Sequence, residues 1–381
     1  MQNNFCCPVC GNTDIRYLGY INGRPYCRKC IKFKGESAEI IRRKAAPVSF
    51  HISYNLSNDQ QLISNKLIDN YKNHIDTLVN AVCGSGKTEI VYGIIAHALS
   101  CGHLVGFAVP RRDVAIELYY RIKNVFNNNK VVAVYGGHHD KLSADIVVLT
   151  THQLFRYVDY FNLIILDEID AFPYNGNDVL NAFFKRSKKG NCVLMSATPS
   201  KEVLQEFSKQ NHDILELNTR YHKHPLPVPK LVIKFGIFKD FYLVQKMRDF
   251  INGKKPVFIF CPTIKLCEEI YSMLSKKISG GNFVHSKCNN RQEIITKFKN
   301  HQYRYLVTTA VLERGVTVEN LQVIIYLADH KLYDSHSLIQ IAGRVGRRSN
   351  APEGEVIYIA EKETEAIKQS IATIKSKNLY L

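Results

Sequence analysis

Ala81-Val82-Cys83-Gly84-Ser85-Gly86-Lys87-Thr88 is the stretch whose reading decides the fold. It follows a β-like segment, Thr77-Leu78-Val79-Asn80, and leads into a helical pattern from Glu89 to Leu99. A strand, a glycine loop and a helix start, in that order, are what a phosphate cradle needs. Gly84 and Gly86 let backbone N–H groups turn inward with no Cβ in the way. The helix start adds positive potential. The Lys87 ammonium then suits the β- and γ-phosphates of a nucleotide, and the Thr88 hydroxyl suits Mg²⁺. Residues Ala81, Val82, Cys83, Gly84, Ser85, Gly86, Lys87 and Thr88 are therefore read as the ATP loop, with ATP and Mg²⁺ as cofactors. Ala81 stands where this pattern usually begins with Gly.

Outward from the loop, acids and an amide fall into place around it. Leu163-Ile164-Ile165-Leu166 reads as a buried strand ending on Asp167 and Glu168. An Asp at such a strand end can hold Mg²⁺ through water, and its Glu neighbour can aim or deprotonate the attacking water. By itself an acid pair there is an ordinary exposed turn. Gln60 opens an amphipathic helix running through Tyr71, and its amide can bond an adenine edge as donor and acceptor. Further strands are expected over 104–109, 131–135, 146–150 and 192–195, with a helix from Asp113 to Asn124. This succession predicts an α/β fold with parallel sheets, whose ligands collect at the carboxyl ends of strands.

Residues 219–229 carry three prolines and two histidines, and read as a stiff linker more readily than as a metal site at His222 and His224. A second α/β unit follows, with strands expected over 257–261, 305–309, 323–327 and 356–360. In Gln340 to Arg348, placed on a helix or its end, Arg344 and Arg347 stand three apart and share one face of a helix turn. Two guanidinium groups reaching into a cleft suit the charge that develops on a γ-phosphoryl group. The plainer readings are backbone-phosphate contact or surface charge.

The first unit of the chain is small. Cys7, Cys10, Cys27 and Cys30 form two C-x₂-C pairs with 16 residues between them. That spacing suits four thiolates around Zn²⁺, with an iron–sulfur cluster as the alternative. Cys6 competes with Cys7, which is preferred because it completes the two-residue spacing. Asn22-Gly23 marks a hairpin turn. A unit of this size needs such a staple to fold. Its basic residues, among them Arg24, Arg28 and Lys32, suit DNA as well as they suit a solvated face. Residues 36–46 read as a basic linker or short helix.

The chain has 381 residues and a formal net charge of +17, which suits a polyanionic partner. No apolar run reaches the roughly 18 residues of a membrane span, and the N-terminus lacks the regions of a signal peptide. Eleven cysteines, most of them single, argue against a disulfide framework and for a reducing cytoplasm.

Gln60, the Gly84–Thr88 loop, Asp167-Glu168-Ile169-Asp170, Ser196-Ala197-Thr198, Leu312-Glu313-Arg314-Gly315-Val316 and the 340–348 segment together resemble a superfamily-two helicase motor over about residues 50 to 360. The four-cysteine unit and the run Asp167-Glu168-Ile169-Asp170-Ala171-Phe172-Pro173-Tyr174 resemble the ComFA family of late-competence ATPases. Pro110-Arg111-Arg112-Asp113-Val114 and residues 150–156 look like that family too. The PriA helicases are related, but their paired zinc sites have no counterpart here. The resemblance implies two RecA-like parallel-sheet domains in tandem, 47–218 and 219–381, behind a four-cysteine zinc finger at 1–46. It implies Gly315 as a further ATP contact. It implies single-stranded DNA contacts at Arg111, Arg112, Thr151, His152 and Gln153 in one domain and at Thr263 and Thr309 in the other. Phe172 and Tyr174 either stack on bases or cover a loop. The implied activity is DNA-dependent ATP hydrolysis driving translocation in DNA uptake. A repair or restart helicase and a passive zinc-dependent DNA adaptor are the alternatives. The implied setting is cytoplasmic, at the inner membrane face beside a DNA-uptake channel, with a ComFC-type competence protein as partner and room for an oligomer.

Overall fold

The computed structural model describes residues 5–82, 84–139, 141–171, 173–209, 211–221, 224–312, 316, 318–347 and 350–379. Contacts divide the chain into two compact units, residues 1–81 with 86–217 and residues 82–85 with 218–381.

The first unit starts with a hairpin, β1 (Leu18–Ile21) and β2 (Arg24–Cys27). Asn22 and Gly23 both take positive φ between them, as a two-residue hairpin turn requires. Residues 36–46, expected as a linker or short helix, form neither helix nor strand. Their polar groups are met by the body of the unit instead. Ala38 N–H donates to Arg156 O at 2.9 Å, Ser143 Oγ donates to Glu39 O at 2.7 Å, and Arg43 pairs with Asp145 at 2.8 Å. A segment bonded this way gains nothing from an internal helix ladder.

Then come α1 (Asn58–Lys72), β3 (Asp76–Ala81), α2 (Lys87–Ile90), α3 (Tyr92–Ser100), β4 (Val105–Val109), α4 (Arg112–Val125), β5 (Val131–Val134) and β6 (Ile146–Thr150). β7 (Phe161–Asp167), α5 (Asp178–Ser187), β8 (Lys188–Ser196), α6 (Lys201–Phe207) and β9 (His212–Leu217) complete the unit. The helix expected from Glu89 is split at Val91, which leaves the ladder between α2 and α3 at ψ −4°. The seven strands β3 to β9 pair in parallel in the order β5-β6-β4-β7-β8-β3-β9. β4 and β6 are buried at every position, as strands covered on both faces must be.

The second unit holds β10 (Lys230–Ile233), α7 (Phe238–Asn252), β11 (Val257–Phe260), α8 (Ile264–Ser275), β12 (Gly281–Val284), α9 (Arg291–Lys299) and β13 (Tyr305–Thr308). β14 (Gln322–Tyr326), α10 (Ser335–Ala342), β15 (Val356–Ala360) and α11 (Glu365–Asn378) follow. Its six strands are also parallel, in the order β10-β15-β14-β11-β13-β12. The segment read as a stiff linker is anchored within this unit. Leu226 exchanges hydrogen bonds with the Asn378 side chain at 2.8 and 2.9 Å, and Arg220 is buried. Of the two histidines there, His222 lies outside the described residues, and His224 joins no cluster of metal-ligating groups among them.

Candidate functional site

All strands of the first sheet point the same way, so the residues after β3, β7 and β8 share one edge. Lys87 and Thr88 follow β3, Asp167 ends β7, and Ser196 ends β8, which lies between the other two. One intervening strand sets β3 and β7 about 10 Å apart. That span suits a triphosphate and its cation. Gly84 and Gly86 take φ +84° and +80°. Among the described residues no side chain caps the four-residue α2, and its Glu89 and Ile90 N–H groups both bond Gly86 O, at 3.1 and 3.3 Å.

Gly86 is also a matter of space. A Cβ there would overlap the Gln60 amide nitrogen. The same geometry brings Gln60 to the glycine loop, as its place ahead of the loop suggested. Its amide oxygen meanwhile accepts from Ser57 N–H at 2.9 Å, completing a capping box on α1. Cys83 lies outside the described residues, as does Gly315.

At the end of β7, Glu168 takes φ +60°, a left-handed conformation that costs a non-glycine residue about 1–2 kcal/mol. Asp167 Oδ1 accepts the Glu168 N–H at 2.8 Å and so fixes the kink. Asp170 accepts from Ser196 Oγ at 2.9 Å and from Thr198 Oγ1 at 3.1 Å. This bridge ties the loop after β7 to the loop after β8. Sequence reading placed both segments in order but gave Asp170 no task; a carboxylate three residues past the strand end was its only signal.

The candidate DNA contacts of this unit follow β4 and β6 on the same edge. Arg111 precedes α4, and the Arg112 guanidinium stacks 5.0 Å from the Tyr135 ring. Thr151 is fully buried, and its hydroxyl has no partner among the described residues. Gln153 Oε1 accepts from Arg156 Nε at 2.7 Å. His152 stacks on Phe33 with centroids 6.1 Å apart, and burial, helped by Lys32, lowers its pKa. Tyr174 is buried edge-on to Phe184, so it covers the core; Phe172 lies outside the described residues.

The four-cysteine unit belongs to the same compact body. The Cys7–Cys30 and Cys10–Cys27 sulfurs are both 3.7 Å apart, and all four lie within 4.8 Å of one another. A tetrahedron with Zn–S bonds of about 2.3 Å has edges of about 3.8 Å, so the donor set fits Zn²⁺. Cys6 is exposed and outside the cluster. Burial pushes the Cys10 thiol up to about 11, so a bound cation is what would hold it as thiolate at neutral pH.

In the second unit, Thr263 accepts from Leu266 N–H at 3.2 Å as the cap of α8, and Thr309 follows β13. Arg344 and Arg347 do not share a helix turn. α10 ends at Ala342, and Gly346 at φ +67° carries the chain away. A Cβ at Gly346 would overlap Pro352 O, which forces the turn. Arg344 is buried and donates to Val316 O at 2.9 Å, whereas half-buried Arg347 donates to Gly343 O at 2.9 Å. Arg220 was missed in the sequence. Its guanidinium donates to Val345 O at 3.0 Å and Gly346 O at 2.8 Å, and so secures the arginine turn.

Residues 57–207 match the DEAD/DEAH box helicase family, and residues 242–349 match the helicase conserved C-terminal domain. The competence protein ComFA of Bacillus subtilis is 32% identical over 99% of this chain and 86% of its own length. This chain belongs to the ComFA family. ComFA of Streptococcus pneumoniae is 31% identical over 98% of this chain and 90% of its own. Among solved structures, Dbp5 of S. cerevisiae bound to RNA and ADP BeF3 aligns with a TM-score of 0.63 at 18% identity, covering 85% of this chain and 92% of that one. That likeness shows the fold, two RecA-like parallel-sheet domains. The helicase matches make the protein an ATP-dependent, helicase-type enzyme that uses Mg²⁺. No described helix is long and apolar enough to cross a membrane.

Proposed function

We propose that the protein is a single-stranded-DNA-dependent ATPase that moves along DNA during its uptake in natural competence. The observation that carries this reading is the match to ComFA along nearly the whole chain, cysteine unit included. Bound Mg–ATP would supply the phosphoanhydride and the Lewis acidity of the cation. Gln60 reads the base, and residues 81–88 cradle the phosphates with Gly315 as a further contact. Lys87 would neutralise phosphate oxygens, Thr88 and Asp167 would hold Mg²⁺, and Glu168 would aim the water. Arg347 and Arg344 would offset charge on the transferred group.

Arg111, Arg112, Thr151, His152 and Gln153, with Thr263 and Thr309, are the proposed DNA contacts. Arg112 is the exposed cation of the group, and its stacking on Tyr135 presents a flat guanidinium to a phosphate. Thr151 and His152 would have to be uncovered, or act through backbone groups. Zn²⁺ on Cys7, Cys10, Cys27 and Cys30 keeps the N-terminal unit folded. The proposed domains are 1–46, 47–218 and 219–381, and the proposed setting is the cytoplasmic membrane face with a ComFC-type partner.

The test is ATP turnover with and without single-stranded DNA. Wild type should be stimulated several-fold, and Lys87→Ala should lose about 10² or more of its kcat while keeping its fold. Equal turnover with and without DNA, at low salt, sinks the DNA-dependent reading. Turnover unchanged in Lys87→Ala sinks the ATP site.

A further inference from the structure

The second unit carries an apolar platform that the ATP and DNA chemistry does not use. Within nine residues, Ile233 is 40% exposed, Phe235 64%, Ile237 64%, Phe238 66% and Phe241 61%. Phe238 and Phe241 stand three apart on the outer face of α7, and Ile233 ends β10. The three phenylalanines alone leave roughly 300–400 Å² of ring surface in water. With the isoleucines, that approaches the upper end for a soluble monomer, where such patches mark interaction sites.

The platform is held in place. Lys234 N–H donates to Ala360 O at 2.9 Å, and Phe238 N–H donates to Phe235 O at 3.1 Å. Glu361 pairs with Lys239 and accepts the Gly236 N–H. Presenting a fixed surface removes an ordering cost from binding.

β10 is also an outer strand of its sheet, bonded to β15 and, among the described residues, to no other strand. Because Lys234 bonds toward β15, alternation turns the N–H and C=O groups of Leu231 and Ile233 outward. An exposed edge beside an apolar surface is the setting for strand addition.

Charge restricts the occupant. Lys230, Lys234 and Lys277 are exposed around the patch, and Lys277 Nζ lies 5.9 Å from the Phe241 ring. The nearby acids are engaged: Glu361 with Lys239, and Asp240 with the Tyr326 hydroxyl at 2.5 Å. A second copy would bring the same lysines against these, on a chain of net charge +17. The area also falls short of the roughly 800 Å² per partner that a stable globular interface buries.

We propose that β10 and the start of α7 form a docking site for an extended, apolar segment of another protein flanked by acidic residues, added as a strand on the free edge of β10. The apolar side chains rest on Phe235, Phe238 and Phe241, and the flanking carboxylates meet Lys230, Lys234 and Lys277.

The probe is a random nine-residue peptide library displayed on phage, selected against the full-length protein. Enriched sequences should alternate apolar residues and carry Asp or Glu at their ends. Their binding should weaken at least tenfold in Phe238→Ser/Phe241→Ser, and in Ile233→Pro, which removes an outward N–H and spares the pairing with β15. Both variants should retain DNA-stimulated ATP turnover. Enrichment that is no better on wild type than on Phe238→Ser/Phe241→Ser overturns the proposal, as do enriched peptides with basic flanks. Self-association of wild type that Phe238→Ser/Phe241→Ser disperses assigns the patch to a second copy. A loss of single-stranded DNA affinity in that variant assigns it to nucleic acid.

Discussion

In the first unit, no described side chain caps α2, and at the end of β7 Glu168 takes φ +60° with its N–H held by Asp167 Oδ1. In the second unit, the charged groups after α10 are tied to the unit's own backbone. Arg344 holds Val316 O, Arg347 holds Gly343 O, and Arg220 holds Val345 O and Gly346 O. Both sheets are parallel and similar in size, so the difference lies in the loops. The first unit sets its acids in short local bonds, Asp167 with the Glu168 N–H and Asp170 with Ser196 and Thr198. The second offers cations whose placement is prepaid by main-chain bonds, which is what a charge that must act at a fixed point needs.

The largest effect that would break this comparison concerns the two arginines. Arg347→Lys should lower kcat by about 10³ or more with little change in stability, because lysine keeps the charge and loses the planar fork. Arg344→Lys should instead destabilise the second unit by about 2–4 kcal/mol, since Arg344 is buried and Val316 O would lose its donor. Urea melts and steady-state kinetics on both variants check this. If Arg344→Lys melts like wild type while losing turnover, the buried arginine is the reacting one and the assignment reverses.

A smaller effect tests whether the arginine turn is rigid. Gly346→Ala must place a Cβ against Pro352 O at φ +67°, and should cost about 3 kcal/mol. Gly136, in the first unit, has open space around a Cβ and no left-handed φ, so Gly136→Ala should be within about 0.5 kcal/mol of wild type. Similar melting of the two variants would show that the turn yields, and that prepayment is not what fixes Arg347.

What the sequence made legible follows the same division. The strand ends near Asn80 and Asp167 stood out because glycines and acids interrupt apolar runs there; the structure carries β3 one residue further, to Ala81, which was read as loop, and ends β7 at Asp167. The cysteine pairs stood out by spacing. Arg220 did not, because one arginine in a proline-rich segment carries no pattern; its meaning is three carbonyls in residues 343–346. The segment 36–46 misled because basic composition suits a solvated helix, while its bonds lie with Leu99, Asp145 and Arg156, remote in sequence. The exposed phenylalanines of 235–241 look like core in a sequence, since hydrophobicity alone does not say which side of a helix is covered.

The smallest effect lies where the cysteine unit meets the body of the first unit. Phe33 sits edge-on to Phe183 at 4.9 Å and stacks on His152. Burial lowers the His152 pKa below its ordinary 6.5. A buried neutral imidazole binds its proton less readily folded than unfolded, so acid favours the unfolded or undocked form. The contribution is intact above about pH 6.5 and falls as pH drops below that value toward the lowered folded pKa. His152→Gln has no titrating ring. Between pH 7.5 and 5.5, wild type should therefore lose more stability than His152→Gln, by up to about 1 kcal/mol. Hydrogen exchange of residues 30–40 at both pH values locates the loss. Parallel pH dependence in the two proteins would mean that His152 leaves Phe33 before it titrates, and that the ring contacts do not hold the cysteine unit against the sheet.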